Sequence, residues 1–203
     1  MFFKQIKQIG DNFSYIVANK DTSEAVIIDP SFNGNAIIIF AMKNKLRIKY
    51  IINTHHHHDH VMDNSKIKSY FGSKIVGHKL SKIEKDIEVG DEDILKVDGL
   101  IIKVIYTPGH TPDSICLLFD KILITGDTLF VGECGRTDLP EGNSVELYNS
   151  LFNKILKLNE DIKIFPGHDY GSRPHSTIGE EKRTNYTLEN RSLDEFVEFM
   201  KES

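Results

Sequence analysis

Short apolar runs, each stopped by a turn or polar residue and followed by a histidine or an aspartate, constrain this chain more than any other feature. Residues 48–52 (IKYII) lead through Asn53 into Thr54-His55-His56-His57-His58-Asp59-His60. Residues 100–106 (LIIKVIY) end at Thr107-Pro108-Gly109, before His110. Residues 122–125 end at Gly126, before Asp127, and residues 162–165 end at Pro166-Gly167, before His168. Apolar, β-branched runs bounded by Gly and Pro are strand signals. In parallel or mixed sheets the loops beyond strand ends share one rim, where ligands bind.

The same reading organises the rest of the chain. Segments 2–9 and 13–19 around Gly10-Asp11-Asn12 predict a hairpin, and 24–29 (EAVIID) predicts a strand that Pro30 ends. Helices are predicted over 35–44, over 62–71 with Gly72 as its stop, over 144–158 with Ser144 as N-cap, and over 193–200. Residues 74–77 predict a strand, and 115–119 with 122–125 a second hairpin. The polar stretch 81–92 reads as a surface segment and 126–143 as a long loop. Strands in two groups, each with helices, predict an α/β sandwich of two mixed β-sheets in one domain, 1–203.

Composition removes several classes of function. Lys plus Arg number 25 against 30 Asp plus Glu, a net charge of −5 with no basic cluster, so no nucleic-acid partner is expected. No apolar stretch approaches the ~20 residues of a membrane span. The start, MFFKQIKQIG, breaks its apolar residues with lysines and does not read as a signal peptide. Cys116 and Cys134 are too few for a disulfide framework, so a cytoplasmic location is expected.

Nine histidines stand out, five of them within positions 55–60. A solvated tract or tag would be uninterrupted and isolated. This one is broken by Asp59 and accompanied by single His and Asp residues at other strand ends. Imidazole and carboxylate together suit zinc and iron, so a metal site is expected. His56 and His58 read as surface groups or as groups behind a metal's ligands. His78 and His175, with Lys20, Lys43 and Lys45, read as surface residues.

His55-x-His57-x-Asp59-His60 with His110, Asp127 and His168 resembles the full ligand set of the metallo-β-lactamase superfamily. The resemblance implies an αββα sandwich, two mixed β-sheets flanked by helices. It implies two divalent metal ions, Zn and/or Fe: His55, His57 and His110 on one, Asp59, His60 and His168 on the other, Asp127 bridging. Asp59 and Asp127 would then be the catalytic carboxylates. Asp127 separates the chain from true β-lactamases, and His57 from the flavin-linked diiron branch.

Two branches remain. Thr54-His55-His56-His57, Gly126-Asp127-Thr128-Leu129-Phe130 and Gly167-His168-Asp169-Tyr170 resemble glyoxalase II, which implies hydrolysis of a small-molecule thioester. Cys134-Gly135-Arg136-Thr137-Asp138 resembles the persulfide dioxygenases, which implies one Fe(II) on His55, His110 and Asp127. Short bacterial glyoxalase II-like proteins resemble the segment Thr177-Ile178-Gly179-Glu180-Glu181-Lys182-Arg183-Thr184-Asn185 as well. Either branch implies a glutathione-like thiol as partner. Arg136 is the substrate-binding candidate for its carboxylates, the alternative being an ion pair with Asp138. Tyr170 reads as a substrate contact or a packing residue, and Cys134 as a small buried residue. Glu133 stands where related sequences carry Gly, and Met62-Asp63 where they carry glycines. The stretch after His168 is too short for the helical domain with which a full glyoxalase II holds glutathione.

Overall fold

In the computed structural model, which describes residues 1–202, twelve strands form two six-stranded sheets. The first sheet takes β1 (Phe2–Lys7), β2 (Phe13–Ala18), β3 (Glu24–Ile28), β4 (Arg47–Ile52), β5 (Lys74–His78) and β6 (Ile87–Val89), in that spatial order. β1 to β3 pair antiparallel, and β3 to β6 parallel. The second sheet runs β12-β11-β10-β9-β8-β7. It comprises β7 (Ile94–Val97), β8 (Leu100–Tyr106), β9 (Ile115–Phe119), β10 (Ile122–Gly126), β11 (Lys163–Pro166) and β12 (Ser176–Thr177). Only β10 and β11 are parallel there.

Alternation along the strands explains the layers, since successive side chains point to opposite faces. Tyr15 and Val17 of β2, with Val26 and Ile28 of β3, face the second sheet. There they meet Ile102, Val104, Leu117, Ile124 and Phe165. Their neighbours Ile16, Ala18, Ala25 and Ile27 face outward, against Ile37, Ile38 and Ala41 of α1 (Gly34–Lys43). α2 (His58–Val61) and α3 (Asn64–Phe71) follow β4, and Ile67 of α3 joins the same outer layer. On the far side, α4 (Ser144–Tyr148), α5 (Ile178–Thr184) and α6 (Leu193–Glu202) supply Leu147, Ile178, Phe196 and Met200, packed on Ile105, Leu123 and Ile164. The αββα sandwich of two mixed sheets is the observed architecture. Strands buried on both faces are continuous apolar runs, which is why they are plain in the sequence. No helix among the described residues is long and apolar enough to cross a membrane.

Several expectations are corrected. The polar stretch 81–92 contains β6, which pairs with β5 through Val76↔Ile87 to His78↔Val89. Its three residues carry too little apolar pattern to read alone. The helix expected over 62–71 begins only at Asn64, with Met62 and Asp63 separating it from an unexpected short helix over His58–Val61, and Gly72 ends it as expected, in a left-handed conformation (φ 68°). Asn143, not Ser144, caps α4: its side chain accepts from Val145 N and Glu146 N at 3.0 and 3.1 Å. Beyond Tyr148 the helix widens into a π turn over Asn149–Lys154 and tightens over Ile155–Lys157. His78 is buried rather than on the surface, its ring stacked on Tyr106 with centroids 4.3 Å apart. His175 is exposed, as expected.

Candidate metal centre

Four strand ends meet at one edge of the sandwich. The loop and the short α2 after β4 carry His55 to His60, the loop after β8 carries His110, Asp127 follows β10 directly, and His168 follows β11 after Gly167. The parallel pairing of β10 with β11 brings Gly126 opposite Pro166, so Asp127 and His168 leave neighbouring strands side by side. Gly126 has φ 51°, and a Cβ there would lie 2.6 Å from Thr54 Oγ1. A Cβ on Gly167 would overlap Asp127 Oδ1. Both glycines are therefore demanded by the close approach of these loops.

Seven side chains gather at this edge. His57 Nδ1 lies 3.1 Å from His55 Nε2 and 3.0 Å from His110 Nε2. His60 Nε2 lies 3.2 Å from His168 Nε2 and 3.5 Å from Asp59 Oδ2, and His168 Nε2 lies 3.4 Å from Asp59 Oδ2. Asp127 lies between the two sets, with Oδ1 3.4 Å from His60, and Oδ2 3.6 Å from His110 and 3.2 Å from His168. Donors at 2.0–2.1 Å from a tetrahedral ion would be about 3.3 Å apart, the edge length seen here. Three overlapping groups have their donor atoms within 4.8 Å of one another: His55, His57, His110; His55, His60, Asp127; and Asp59, His60, His168.

The outer nitrogens fix which ring atoms face inward. Thr54 Oγ1 donates to Asp29 Oδ2 (2.6 Å), so it accepts from His55 Nδ1 (3.1 Å). His60 Nδ1 donates to Asp29 Oδ2 (3.1 Å), His110 Nδ1 to Arg136 O (2.9 Å), and His168 Nδ1 to Asp11 Oδ1 (3.0 Å). With the outer proton held, each inner Nε2 presents a lone pair. Lone pairs facing one another at 3.0–3.2 Å require a proton or a cation between them. Asp127 Oδ1 is buried without a hydrogen-bond partner among the described residues. The donor set and this orphaned oxygen fit divalent ions.

The two halves differ electrostatically. Burial and the neighbouring imidazoles push His55 well below its ordinary value, and burial with His110 lowers His57 to about 4. Burial also opposes charge on His60 and His168. For His60, Asp127 with Asp29 and Asp59 outweighs it, and for His168 Asp127 with Asp59 and Asp11 does, raising them to about 9 and about 11. Asp59 and Asp127 are held below the usual carboxylate range, because the facing histidines outweigh the cost of burial.

The remaining sequence candidates fall into place around this cluster. A cavity of about 270 Å³ opens beside it, lined by His110, Asp127, Phe130, Glu133, Cys134, Arg136 and Tyr170. Tyr170 stacks on His168 with centroids 4.8 Å apart and stays half exposed. Arg136 lines the cavity while holding Asp138 through two 2.6 Å hydrogen bonds at the surface. Burial pushes the Cys134 thiol up to about 11, which suits a packing residue. His56 turns away and meets buried Asp113 at 2.6 Å, whereas His58 is exposed. A larger cavity, about 650 Å³, lies along α3 and takes in none of the seven.

Sequence reasoning missed Asp29, Asp11 and Asn12. Asp29 sits at the end of β3, and the strand-end rule that found Asp127 would have found it too. Asp11 and Asn12 read only as turn residues, yet Asn12 Nδ2 donates to Asp59 Oδ2 (2.9 Å). No local signal marks them.

Comparison with known proteins agrees with this geometry. Residues 9–85 and 79–168 match the family model described as the metallo-beta-lactamase superfamily. A hydroxyacylglutathione hydrolase of Pelagibacter ubique is 40% identical over 170 residues, 81% of this chain and 70% of that protein. The human mitochondrial persulfide dioxygenase ETHE1 is 32% identical over 201 residues, covering 97% and 79%. The crystal structure of ETHE1 from Myxococcus xanthus superposes with a TM-score of 0.95 at 32% identity, covering 99% of this chain and 90% of that one. By fold, by its converging histidines and aspartates, and by sequence, the chain belongs to the metallo-β-lactamase superfamily.

Proposed function

We propose that the chain is a metal-dependent hydrolase of a small thioester, similar in activity to hydroxyacylglutathione hydrolases. One domain spanning residues 1–203 would carry it, in a reducing cytoplasm where Cys116 and Cys134 stay thiols. The observation that carries the reading is the presence of two ligand triads with Asp127 between them. The single-ion alternative draws its ligands from the same seven residues, so the ligand set supports a metal enzyme of either kind and the metal count separates them. His55, His57 and His110 would hold the first ion, and Asp59, His60 and His168 the second, with Asp127 on both. Held there, two divalent ions, zinc or iron, would supply hydroxide at neutral pH and a Lewis acid for the thioester oxygen.

The chain's own groups do the rest. Asp59 and Asp127, both held ionised, accept hydrogen bonds from the attacking water and orient it. Buried His55, His60 and His110 are fixed from behind by Thr54, Asp29 and Arg136 O, so the ligand geometry is set before substrate arrives. The leaving thiol has an ordinary pKa near ~8.5, so it departs as thiolate without a strong acid. Tyr170 keeps its proton, because burial and then Asp11 push its phenol up to about 12, and it can donate to the bound thiol portion. Arg136 can exchange Asp138 for a substrate carboxylate, since water screens an ion pair exposed at the surface and little is lost on breaking it.

A second reading is a persulfide dioxygenase with one Fe(II) on His55, His110 and Asp127, a two-histidine, one-carboxylate face. The TM-score of 0.95 to the Myxococcus ETHE1 favours it. Metal analysis of protein purified without added metal separates the two, run beside assays on a glutathione thioester and on glutathione persulfide with oxygen uptake. Two ions per chain with thioester turnover supports the hydrolase. One iron with oxygen consumption replaces it.

A further inference from the structure

The segment from Thr177 to Asn185 contributes no metal-facing group, yet two of its side chains are buried against the loop after Asp127. Glu181, on α5, is 1% exposed. Its Oε2 accepts from Gly132 N at 2.8 Å and from Asn185 Nδ2 at 2.9 Å. The same Asn185 amide donates to Glu133 O at 3.1 Å, and Asn185 Oδ1 accepts from Thr187 N and Thr187 Oγ1 at 3.0 and 2.7 Å. A buried carboxylate is costly unless its hydrogen bonds are made, and here they land on the backbone of residue 132 and, through Asn185, of residue 133.

Those two residues begin a wall with a cavity on each side. Glu133, Cys134 and Arg136 line the metal cavity and also a second one of about 300 Å³, whose other lining residues are Tyr186, Thr187, Phe199 and Met200. The metal cavity alone, about 270 Å³, is smaller than the ~300–1,000 Å³ that encloses a drug-sized ligand. A thiol of tripeptide size with an acyl group must extend past the wall. We propose that Glu181 and Asn185 are positioning residues. By holding residues 132 and 133 they fix the wall between the two cavities, and so set the fit of the part of a thiol-bearing substrate that lies beyond the metal cavity. This rests on the reading that the site takes a thiol-bearing substrate, but not on hydrolysis.

Calorimetry on the metal-loaded protein tests it, with glutathione and 2-mercaptoethanol as the two thiols. Glu181→Ala should weaken glutathione about tenfold, because binding must then also order a wall that is no longer held, and 2-mercaptoethanol less than about twofold, with metal content unchanged. Glu181→Gln keeps an acceptor oxygen and should return glutathione to within about threefold of wild type. Asn185→Ser, which keeps the charge of Glu181 but loses the bond to Glu133 O, should repeat the selective loss and covers the case in which Glu181→Ala does not fold. Equal weakening of both thiols, loss of ions, no change in either variant, or a wild type that binds no glutathione overturns the proposal. A wild type that binds glutathione selectively through these residues, yet turns over no thioester, overturns the hydrolase reading instead and leaves the positioning role standing.

Discussion

Replacing Asp29 with Asn should weaken both metal positions without touching a ligand. Asp29 takes Thr54 N on Oδ1 at 2.8 Å, and Thr54 Oγ1 and His60 Nδ1 on Oδ2 at 2.6 and 3.1 Å. Its φ of 48° is left-handed, a conformation Asn tolerates as Asp does, so the change isolates charge and acceptor capacity. Asn keeps one oxygen for Thr54 N and turns an NH₂ toward the other two groups. His60 must then accept at Nδ1, which moves its proton to Nε2, the atom 3.2 Å from His168 and 3.4 Å from Asp127. Thr54 must accept from the new amide and donate to His55 Nδ1, which reverses His55 in the same way. One ring of each triad loses its inward lone pair. Loss of such an outer partner costs about 10–100-fold in metal affinity. That is about 1.4–2.7 kcal/mol per position. The mismatched buried donor should also destabilise the ion-free fold by about 1–3 kcal/mol, and each kcal/mol lowers Tm by about 2–4 °C in a chain of this size. Competition against a chelator of known affinity reads both constants, and thermal unfolding reads the fold. A folded Asp29→Asn variant that binds both ions within about twofold of wild type would refute the tautomer argument.

Three further outcomes are expected. Asp127→Ala should lose at least one ion and about 100-fold or more in turnover, read by elemental analysis and thioester assay; retention of both ions and rate removes Asp127 from between the triads. At pH 7 His55, pushed well below its ordinary value, and His57, near 4, are proton-free, whereas His60 and His168, near 9 and 11, hold protons that an ion must displace. Affinity at the second position should therefore rise about tenfold per pH unit for each proton displaced, between pH 6 and 8, and an ion uptake independent of pH would contradict this. The same protons stabilise the ion-free fold fully below the unfolded value near ~6.5, and that contribution is lost as pH rises through about 9 and about 11. Gly167→Ala sets a methyl against Asp127 Oδ1 and 2.8 Å from His60 Cε1, so it should cost about 1–3 kcal/mol and weaken the second ion; a variant as stable and as well loaded as wild type shows the approach is looser than this.

Legibility in the sequence followed the range of the interactions. β8 and β9 match their expected bounds, and the other long strands come within two residues, because each is rich in apolar residues and stopped by Gly, Pro, a polar residue or a tight turn. β6, β7, β12, α2 and α5 escaped, the strands because pairing with a neighbour rather than their own short pattern makes them strands, the helices because they are short and polar. His78 reads like any surface histidine beside two lysine-rich stretches. Its burial comes from Tyr106, which lies 28 positions away and stacks on it.

Taken alone, the amino-acid order sets where strands stop and which donors stand just past each stop, since turn chemistry and alternation act over a few residues. It thereby marks the tract from His55 to His60, with His110, Asp127 and His168, as one group, and the resemblance to the superfamily picks His55, His57, Asp59 and His60 within that tract. What stands behind them is settled by packing. Asp29 holds His60 across 31 positions, Asp11 holds His168 across 157, and Glu181 holds Gly132 across 49. Such pairings are made when distant segments pack, and nothing within a few residues of either partner encodes them.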